Sequence, residues 1–274
     1  MVATAAVLAA LELEPTGPNR FRGGHAEMGH GVVFGGQLLG QALVAAAEGH
    51  DGKLPKTVHT VFARAASPDA PIEITVEPIH AGRAFASSNV TTSQGDRVCT
   101  TSVVLLTADE PDFIRHADPA PTLAPPSDHD DDGTWQVRVV DGVDISDPDA
   151  VGPPELDVWT RFDGAPGDPL LDQALLAFAT DGFLIGTAMR PHEGVGQAQA
   201  HRTISTGVIS HTLTFHEGIR AGEWMLLRHR SSYAGRGRSY GRADVFDATG
   251  ALAASFVQDA MIRAMEAAPG AGRL

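Results

Sequence analysis

The two halves of this sequence carry the same landmarks in the same order. Gln-Ala-Leu lies in an apolar, helix-like stretch at residues 41–43 and again at residues 173–175. A strand-like run with His-Thr before an apolar residue follows at residues 59–61 and 211–213. Each half then closes with two long strand-like runs around a glycine turn. The repeat is about one domain long and far exceeds a solenoid repeat, so it predicts two copies of one domain.

Each half combines one helix with several strands. The first helix is predicted to begin near Gly35 and Gly36, because the apolar residues that follow fall on one helical face. Asp168 as N-cap and Pro169 at the first helical position predict the start of the second helix. Partly alternating runs such as 224–230 predict strands. One helix against a largely antiparallel sheet, twice in one chain, is an α+β fold.

A segment rich in proline and aspartate separates the two halves. It spans residues 109–133 and has too few apolar residues to bury a core, which is typical of a linker. We therefore expect an N-terminal domain at residues 1–110, a linker at 111–133 and a C-terminal domain at 134–268.

The composition excludes several classes of partner and location. With 20 Lys and Arg against 34 Asp and Glu, the net charge of −14 disfavours nucleic acid or an anionic membrane as a partner. Cys99 is the only cysteine, so an intrachain disulfide is impossible and a reducing compartment fits. Residues 1–13 are apolar but lack the basic residues of a secretory signal, and no run reaches the ~20 apolar residues that cross a bilayer. The expected location is the cytoplasm, without membrane insertion.

Asp181 is the first candidate for chemistry. An apolar helical stripe comprises Leu171, Ala174, Leu175 and Phe178. Asp181 extends this stripe by three positions and should face the apolar interior, where burial raises the pKa of a carboxylate. Such a group is a candidate general base or water-orienting residue, although it could instead cap a turn with Gly182. Superimposing the repeats places Gly49 opposite Asp181, which predicts one working site and one retired site unless this position simply tolerates drift.

Gln258 is the second candidate. In the last strand, period two places Gln258 on the same face as Phe256, Ala260 and Ile262. An amide on an apolar face must find hydrogen-bond partners, and it can both donate and accept. A water molecule beside a carboxylate would satisfy it, and so would the more common bond to a backbone group.

A basic cluster stands out against the acidic chain. It comprises Arg228, Arg230, Arg236, Arg238 and Arg242, with glycines between them. Guanidinium groups match phosphate oxygens, so the cluster is a candidate phosphate-binding site. The alternative is a solvated strand and turn whose arginines pair with some of the surplus carboxylates.

The sequence predicts no metal and no cofactor. Residues 237–241 match the G-x-S-x-G pattern, but a strand rather than a helix follows, and no histidine comes after His229. The 12 histidines lack zinc spacing, and no glycine-rich phosphate loop is present. The acidic residues 130–132 beside His129 could bind a divalent cation, but a solvated linker is the more common reason for such a run.

Several segments together resemble the acyl-CoA thioesterase II family, which has a double hot-dog fold. They are VFGGQ at 33–37, GQAL at 40–43, AFATD at 177–181, HTLTFH at 211–216, EWMLL at 223–227 and VQDAMIR at 257–263. The resemblance runs from about Arg20 to Met265. It implies a chain of two helix-plus-antiparallel-sheet units that hydrolyses acyl-CoA to a fatty acid and CoA without a cofactor.

The resemblance also implies a set of water-holding residues: a helix Asp, a strand Thr or Ser, and a Gln in the last strand. Asp181 and Gln258 match the first and third. The hydroxyl position falls on Val208, which cannot hydrogen-bond. If the strand alternates regularly, Thr206 and Ser210 share the face of Val208, and we expect Ser210 to replace the missing hydroxyl.

The remaining substrate contacts are expectations of the same kind. Backbone N–H groups at Gly35 and Gly36 would stabilise the oxyanion, and Arg236 and Arg238 would lie near the phosphates of CoA. Two other functions stay open: a non-catalytic acyl-CoA-binding protein, which Val208 favours, and an enoyl-CoA hydratase. The hydratase needs a histidine near the aspartate, and none follows Asp181 closely in the sequence. The sequence fixes neither the acyl length nor the oligomeric state, and a homo-oligomer is compatible with the fold family.

Overall fold

A computed structural model describes residues 2–29, 31–127 and 132–265. In these residues four α-helices accompany one sheet. The helices are α1 (Thr4–Leu11), α2 (Gly35–Ala47), α3 (Pro169–Thr180) and α4 (Leu184–Met189). The strands of the first half are β1 (Leu13–Gly17), β2 (Arg20–Gly23), β3 (Lys53–Phe62), β4 (Ile72–Ala81), β5 (Phe85–Gln94) and β6 (Arg97–Ala108). Those of the second half are β7 (Trp135–Val139), β8 (Glu155–Phe162), β9 (Ile204–Phe215), β10 (Met225–Gly235), β11 (Arg238–Phe246) and β12 (Leu252–Ala264).

The strand order confirms the internal repeat. The sheet runs β1-β2-β4-β5-β6-β3 and continues as β9-β12-β11-β10-β8-β7, so the second half repeats the order of the first in reverse. All neighbouring strands that the structure describes are antiparallel. The halves join where β3 pairs with β9, from Thr57 opposite Thr214 to Val61 opposite Ser210. The α+β prediction of two helix-plus-sheet units is therefore confirmed.

The two central helices cross in close contact. A Cβ atom on Gly36 would overlap the carbonyl oxygen of Phe178, and one on Gly40 would lie 3.0 Å from the carbonyl oxygen of Ala174. Glycine is needed at these positions because the backbones of α2 and α3 approach too closely for a side chain. The start of α2 therefore lies beside the end of α3, which brings segments of both halves to one place.

The predicted start of α3 is confirmed. The side chain of Asp168 accepts hydrogen bonds from the backbone N–H groups of Leu170 and Leu171, and Pro169 is the first residue of the helix. Phe178, near the other end, is fully buried, and its ring lies 4.9 Å from Phe34 and 5.4 Å from Trp135. Replacing such a buried aromatic ring with alanine costs ~3–5 kcal/mol. The end of α3 is therefore held by packing as well as by helix formation.

The segment Pro169–Met189 is more apolar than the sequence analysis recognised. The segment has 21 residues, and an 18-residue window within it has a mean hydropathy of 1.2, so length and composition alone would suit a membrane span. The expectation that no run reaches this threshold is wrong for this segment, because Asp172 and Asp181 interrupt it without lowering its average enough. However, 72% of that window is buried within the fold. Packing between the sheet and α2 accounts for its apolar character.

The segment between the two halves has no helix or strand at residues 109–127 and 132–133. Ala120 and Leu123 nevertheless pack against a hydrophobic cluster of the second half that comprises Trp159, Trp224, Leu226 and Phe246. The boundaries at 110 and 133 stay a prediction, close to the end of β6 and the start of β7. His129, Asp130 and Asp131, which carried the cation alternative, lie outside the described residues, as do residues 266–268 of the predicted C-terminal domain.

Candidate active site

A cavity lies where the two halves separate. The β3–β9 pairing ends at Val61 and Ser210. Beyond this point residues 62–66 and the first half of β9 line a cavity of about 650 Å³. The starts of α2 and α4 and the end of α3 complete its wall. The closely packed helix ends therefore face a partly open space between the halves.

Asp181 follows the last residue of α3 and lies at the cavity wall. Its Oδ2 atom accepts a hydrogen bond from the backbone N–H of Gly36 at 3.1 Å. Its Oδ1 atom accepts one from Nε2 of Gln258 at 3.2 Å. Burial disfavours the charged carboxylate and raises the pKa of Asp181 to about 7, although the Gly36 N–H acts in the opposite direction. A carboxyl group with this pKa can exchange a proton near neutral pH.

Gln258 lies in the middle of β12 and is 2% exposed. It faces the helices, as the alternation of the strand predicts, between the buried residues Phe256 and Ala260. Its Nε2 donates to Asp181, whereas its Oε1 has no partner among the described residues. An amide fixed through one atom and free to accept through the other can orient a donor such as water. The structure thus brings together the two residues that the sequence singled out.

Ser210 does not join them, and the expectation that it shares the face of Val208 is wrong. Regular pairing of β9 with β12 is interrupted: Ser210 is opposite Asp259, but Val208 is opposite Ala260. The extra residue, Ile209, forms a β-bulge, which reverses the alternation of side chains. The Ser210 hydroxyl donates to Asp259 at 3.3 Å instead.

Val208 and Thr206 lie on the face of Gln258, in a strand segment whose residues 206–209 all line the cavity. Both line the cavity, and they pair with Ala260 and Ile262 on the face of Gln258. Val208 therefore occupies the position where the family resemblance implies a hydroxyl. Thr206 brings a hydroxyl to the same wall two residues earlier in the strand.

The two glycines at the start of α2 have different roles. The N–H of Gly36 is occupied by Asp181, so its expected role at an oxyanion is replaced by one at the carboxylate. Gly35 lines the cavity, and a Cβ atom there would lie 2.7 Å from Oδ2 of Asp181. The absence of a side chain at Gly35 is thus what lets the helix start approach the carboxylate.

The predicted arginine cluster is divided by the fold. Arg228 and Arg230 face carboxylates on β8, at 3.7 Å from Asp157 and 3.8 Å from Glu155. For these two the ion-pair interpretation is the better one. Arg236 lies in the tight turn between β10 and β11, and Arg238 is the first residue of β11; neither is among the described residues that line the cavity.

Arg64 is a cavity residue that sequence reasoning missed. It is exposed, two residues beyond β3, and lines the cavity together with His201. A lone arginine after a strand gives no sequence signal, and its position became meaningful only once β3 and β9 were known to separate there. Among the described residues, no group of His, Cys, Asp or Glu could hold a metal ion, and this cavity contains only Asp181 as a carboxylate.

Comparison with known proteins identifies both halves. The model of the acyl-CoA thioesterase N-terminal domain matches residues 24–107, and that of the acyl-CoA thioesterase C-terminal domain matches residues 115–262. The human protein acyl-coenzyme A thioesterase 8 is 27% identical over 288 residues, covering 94% of this chain and 88% of its own length. Acyl-CoA thioesterase 2 of Haemophilus influenzae is 27% identical over 279 residues, covering 93% and 96%.

Solved structures share the whole fold. The acyl-CoA thioesterase II TesB2 from Mycobacterium marinum superimposes with a TM-score of 0.79 at 27% identity, covering 98% of this chain and 100% of its own. A hot-dog protein from Alicyclobacillus acidocaldarius gives a TM-score of 0.74 at 22% identity over 95% of this chain and 98% of its own, which supports the fold alone. The expected family and fold are confirmed. The chain belongs to the acyl-CoA thioesterase family and has both its N-terminal and its C-terminal domain.

Proposed function

We propose that this protein hydrolyses acyl-CoA to a free acid and CoA, and that Asp181 and Gln258 direct the attacking water. The observation that carries the proposal is the hydrogen bond from the Gln258 amide, buried in β12, to the Asp181 carboxylate, which lines the cavity. The rise in the pKa of Asp181 to about 7 suits a general base, because such a base works best when its pKa lies near the ambient pH. Family membership supports the same reaction.

The proposed reaction begins with a water molecule held between the two side chains. Gln258 Oε1 accepts a hydrogen bond from this water. The ionised Asp181 removes the other hydrogen of the water as a proton while the water oxygen attacks the thioester carbonyl carbon. The tetrahedral intermediate then expels the CoA sulfur as the C–S bond breaks, and the proton held by Asp181 becomes available to the thiolate. Because a thiolate is a good leaving group, the reaction needs neither a covalent enzyme intermediate nor a metal.

We assign the stabilisation of the oxyanion to the backbone N–H of Gly35 alone. The N–H of Gly36 is already donated to Asp181, whereas Gly35 is the first residue of α2 and lines the cavity. N–H groups in the first turn of a helix lack partners within the helix and attract negative charge. A donor fixed in this way stabilises the charge that develops on the carbonyl oxygen.

Arg64 is the guanidinium group that we place at the CoA end of the substrate, since it lines the cavity and is exposed. The earlier assignment of Arg236 and Arg238 to the phosphates stays a prediction. Guanidinium contacts to phosphate bind the ground state and the transition state alike, so their loss should raise KM more than it lowers kcat.

Replacement of Asp181 by Asn tests the proposal. Asn keeps the size of the side chain and can still accept from Gly36, but it cannot take a proton. We expect turnover of acyl-CoA, measured by trapping the released thiol, to fall by about 10²-fold or more with the fold intact. A matched control is Gly49→Asp in the Asp181→Asn background, which adds a carboxylate at the corresponding position of the first half. It should not restore activity, and full activity of Asp181→Asn alone would contradict the assignment.

Val208 supports one rival, a protein that binds acyl-CoA without cleaving it. In that case saturable acyl-CoA binding would be measured with no thiol release above the buffer rate. The hydratase alternative gains His201 as a cavity residue, but both described hydrogen bonds of Asp181 go to Gly36 and Gln258. Addition of water to enoyl-CoA, measured as the loss of the absorbance of the conjugated enoyl group, would favour that alternative.

A further inference from the structure

A buried histidine lies beneath the end of α3. His211 is fully buried in β9 and is directly opposite Gln258 in β12. Its Nε2 atom lies 3.1 Å from Oγ1 of Thr180, the residue that precedes Asp181. The imidazole thus contacts the chain one residue before the carboxylate and is the strand neighbour of the amide. It is not among the described residues that line the cavity.

The hydrogen bonds of Thr180 determine the tautomer of His211. The Thr180 hydroxyl donates its single hydrogen to the carbonyl oxygen of Ala177 at 2.8 Å. Its oxygen must therefore accept from His211, so the imidazole carries its hydrogen on Nε2. Burial, together with the charge of His59, lowers the pKa of His211 to about 3, which keeps the ring neutral near neutral pH. His211 is a fixed donor and not an acid or a base in this pH range.

The helix ends at Asp181, one residue after this contact. In a continuing α-helix the N–H of Asp181 would bond to the carbonyl of Ala177, four residues earlier. That carbonyl accepts the Thr180 hydroxyl, and the N–H of Asp181 is directed to Ala179 instead. The bond from His211 therefore anchors the residue at which the chain leaves the helix.

Aromatic packing supports the chain on the other side of Asp181. The ring of Phe256 lies 5.3 Å from His211, nearly parallel to it, and 5.7 Å from His229. His229 in turn lies 5.5 Å from Phe183. Thr180 and Phe183 flank the turn that contains Asp181, so this layer of three rings contacts the chain both before and after the carboxylate.

We propose that His211 is a positioning residue. Acting through Thr180, it fixes the end of α3 and with it the geometry between the Asp181 carboxylate and the Gln258 amide. This inference rests on the proposed function of that pair. Catalytic groups displaced by about 1 Å can lose up to about 10²-fold in rate, so one hydrogen bond beneath the helix end can matter for turnover.

The test uses Thr180→Val, which keeps the shape of the side chain but removes the acceptor oxygen, and Thr180→Ser, which restores it. We expect Thr180→Val to lower kcat by about tenfold with little change in KM, and Thr180→Ser to recover most of the loss. The low-pH limb of the kcat/KM profile should also move to lower pH in Thr180→Val, because a displaced carboxylate is better solvated. Thr92→Val is the matched control, since Thr92 is a buried threonine of the first half whose hydroxyl has no partner among the described residues.

His211 itself provides the second arm. His211→Leu should reproduce the loss, His211→Gln should recover part of it by offering a donor at similar reach, and His211→Leu with Thr180→Val should lose no more than either alone. If Thr180→Val and His211→Gln lower the melting temperature but leave kcat and the pH profile unchanged, the bond is only structural and the inference is overturned. That result is distinct from failure of the proposed function, which appears as full activity of Asp181→Asn.

Discussion

The two ends of the β3–β9 pairing are alike in topology but differ in what they contain. At the end marked by Val61 and Ser210 the halves separate around a cavity that contains Asp181. At the other end, marked by Thr57 and Thr214, hydrogen bonds link the halves. Lys56 donates through Nζ to the carbonyl of Phe215, and Gln173 of α3 donates to the carbonyl of Pro55 at 3.1 Å. The duplicated fold thus has two similar ends of the β3–β9 pairing: a cavity separates the halves at one end, and hydrogen bonds connect them at the other.

The helix ends explain much of the difference. After α2 the chain passes through Gly49, which is exposed and has a φ of +73°, a conformation suited to glycine that turns the chain away from the helix. After α3, Asp181 keeps a right-handed helical conformation and the chain soon enters α4. A carboxylate can therefore point inward at the end of α3, whereas the end of α2 has no side chain there. The inward carboxylate therefore depends on the local backbone as well as on the acidic residue.

The largest expected effect distinguishes Gly36, at the start of α2 beside Asp181, from Gly49, which follows the end of α2. Gly36→Ala should lower the free energy of unfolding by at least about 3 kcal/mol and abolish turnover, because its Cβ atom would collide with the Phe178 backbone. Gly49→Ala should cost only about 1–2 kcal/mol, since only its backbone conformation is unfavourable, and should leave turnover unchanged. Denaturant unfolding checks both values. Equal losses in the two variants would remove the proposed difference between the helix ends.

Asp181→Asn should stabilise the protein increasingly as the pH rises. The pKa of Asp181 is raised from 3.8 to about 7 by burial, so between these values the folded state holds a proton that the unfolded chain has released. The free energy of unfolding contributed by Asp181 therefore falls as the pH rises through this window, and Asn has no proton to lose. We expect the stability of the variant relative to the unmodified protein to grow by about 4 kcal/mol between pH 4 and pH 8. Chemical denaturation at both pH values measures this, and a constant difference would mean that the carboxylate is not destabilised by burial.

Val208→Thr should raise kcat by up to about tenfold. The bulge at Ile209 turns residue 208 toward the cavity, where a hydroxyl could add one hydrogen bond to the water near Gln258. A hydrogen bond made mainly in the transition state contributes about 1 kcal/mol, which corresponds to several-fold in rate. Ser210→Ala is the matched control and should leave kcat unchanged, because its hydroxyl is bonded to Asp259. A loss of activity in Ser210→Ala with no gain in Val208→Thr would reverse the assignment of faces.

The sequence predicted the parts of the fold that depend on local pattern. The repeat follows from recurring motifs, the N-cap at Asp168 from the Pro169 that comes after it, and the faces of Asp181 and Gln258 from periods of 3.6 and 2. The structure agrees with each. The sequence did not predict the bulge at Ile209, because a single inserted residue leaves no signal without knowledge of the partner strand. For that reason Ser210 was expected on the wrong face.

The composition of the cavity was equally beyond local pattern. Arg64 lines it only because β3 and β9 separate after Val61, which is a property of the joined sheet. The occupation of the Gly36 N–H by Asp181 likewise depends on how closely α2 and α3 pack. Contacts between distant segments therefore decided the details of the site, while local periodicity decided its principal residues.

The pH dependence of kcat/KM for the unmodified protein tests the central claim most directly. If a carboxyl group with a pKa of about 7 must be ionised to take a proton from water, kcat/KM should fall tenfold per pH unit below about pH 6, and the limb should extrapolate to a pKa near 7. A saturating concentration series at each pH, with protein integrity checked by circular dichroism, gives the profile. A kcat/KM that stays level from pH 8 down to pH 5 in the folded protein would contradict Asp181 as the base.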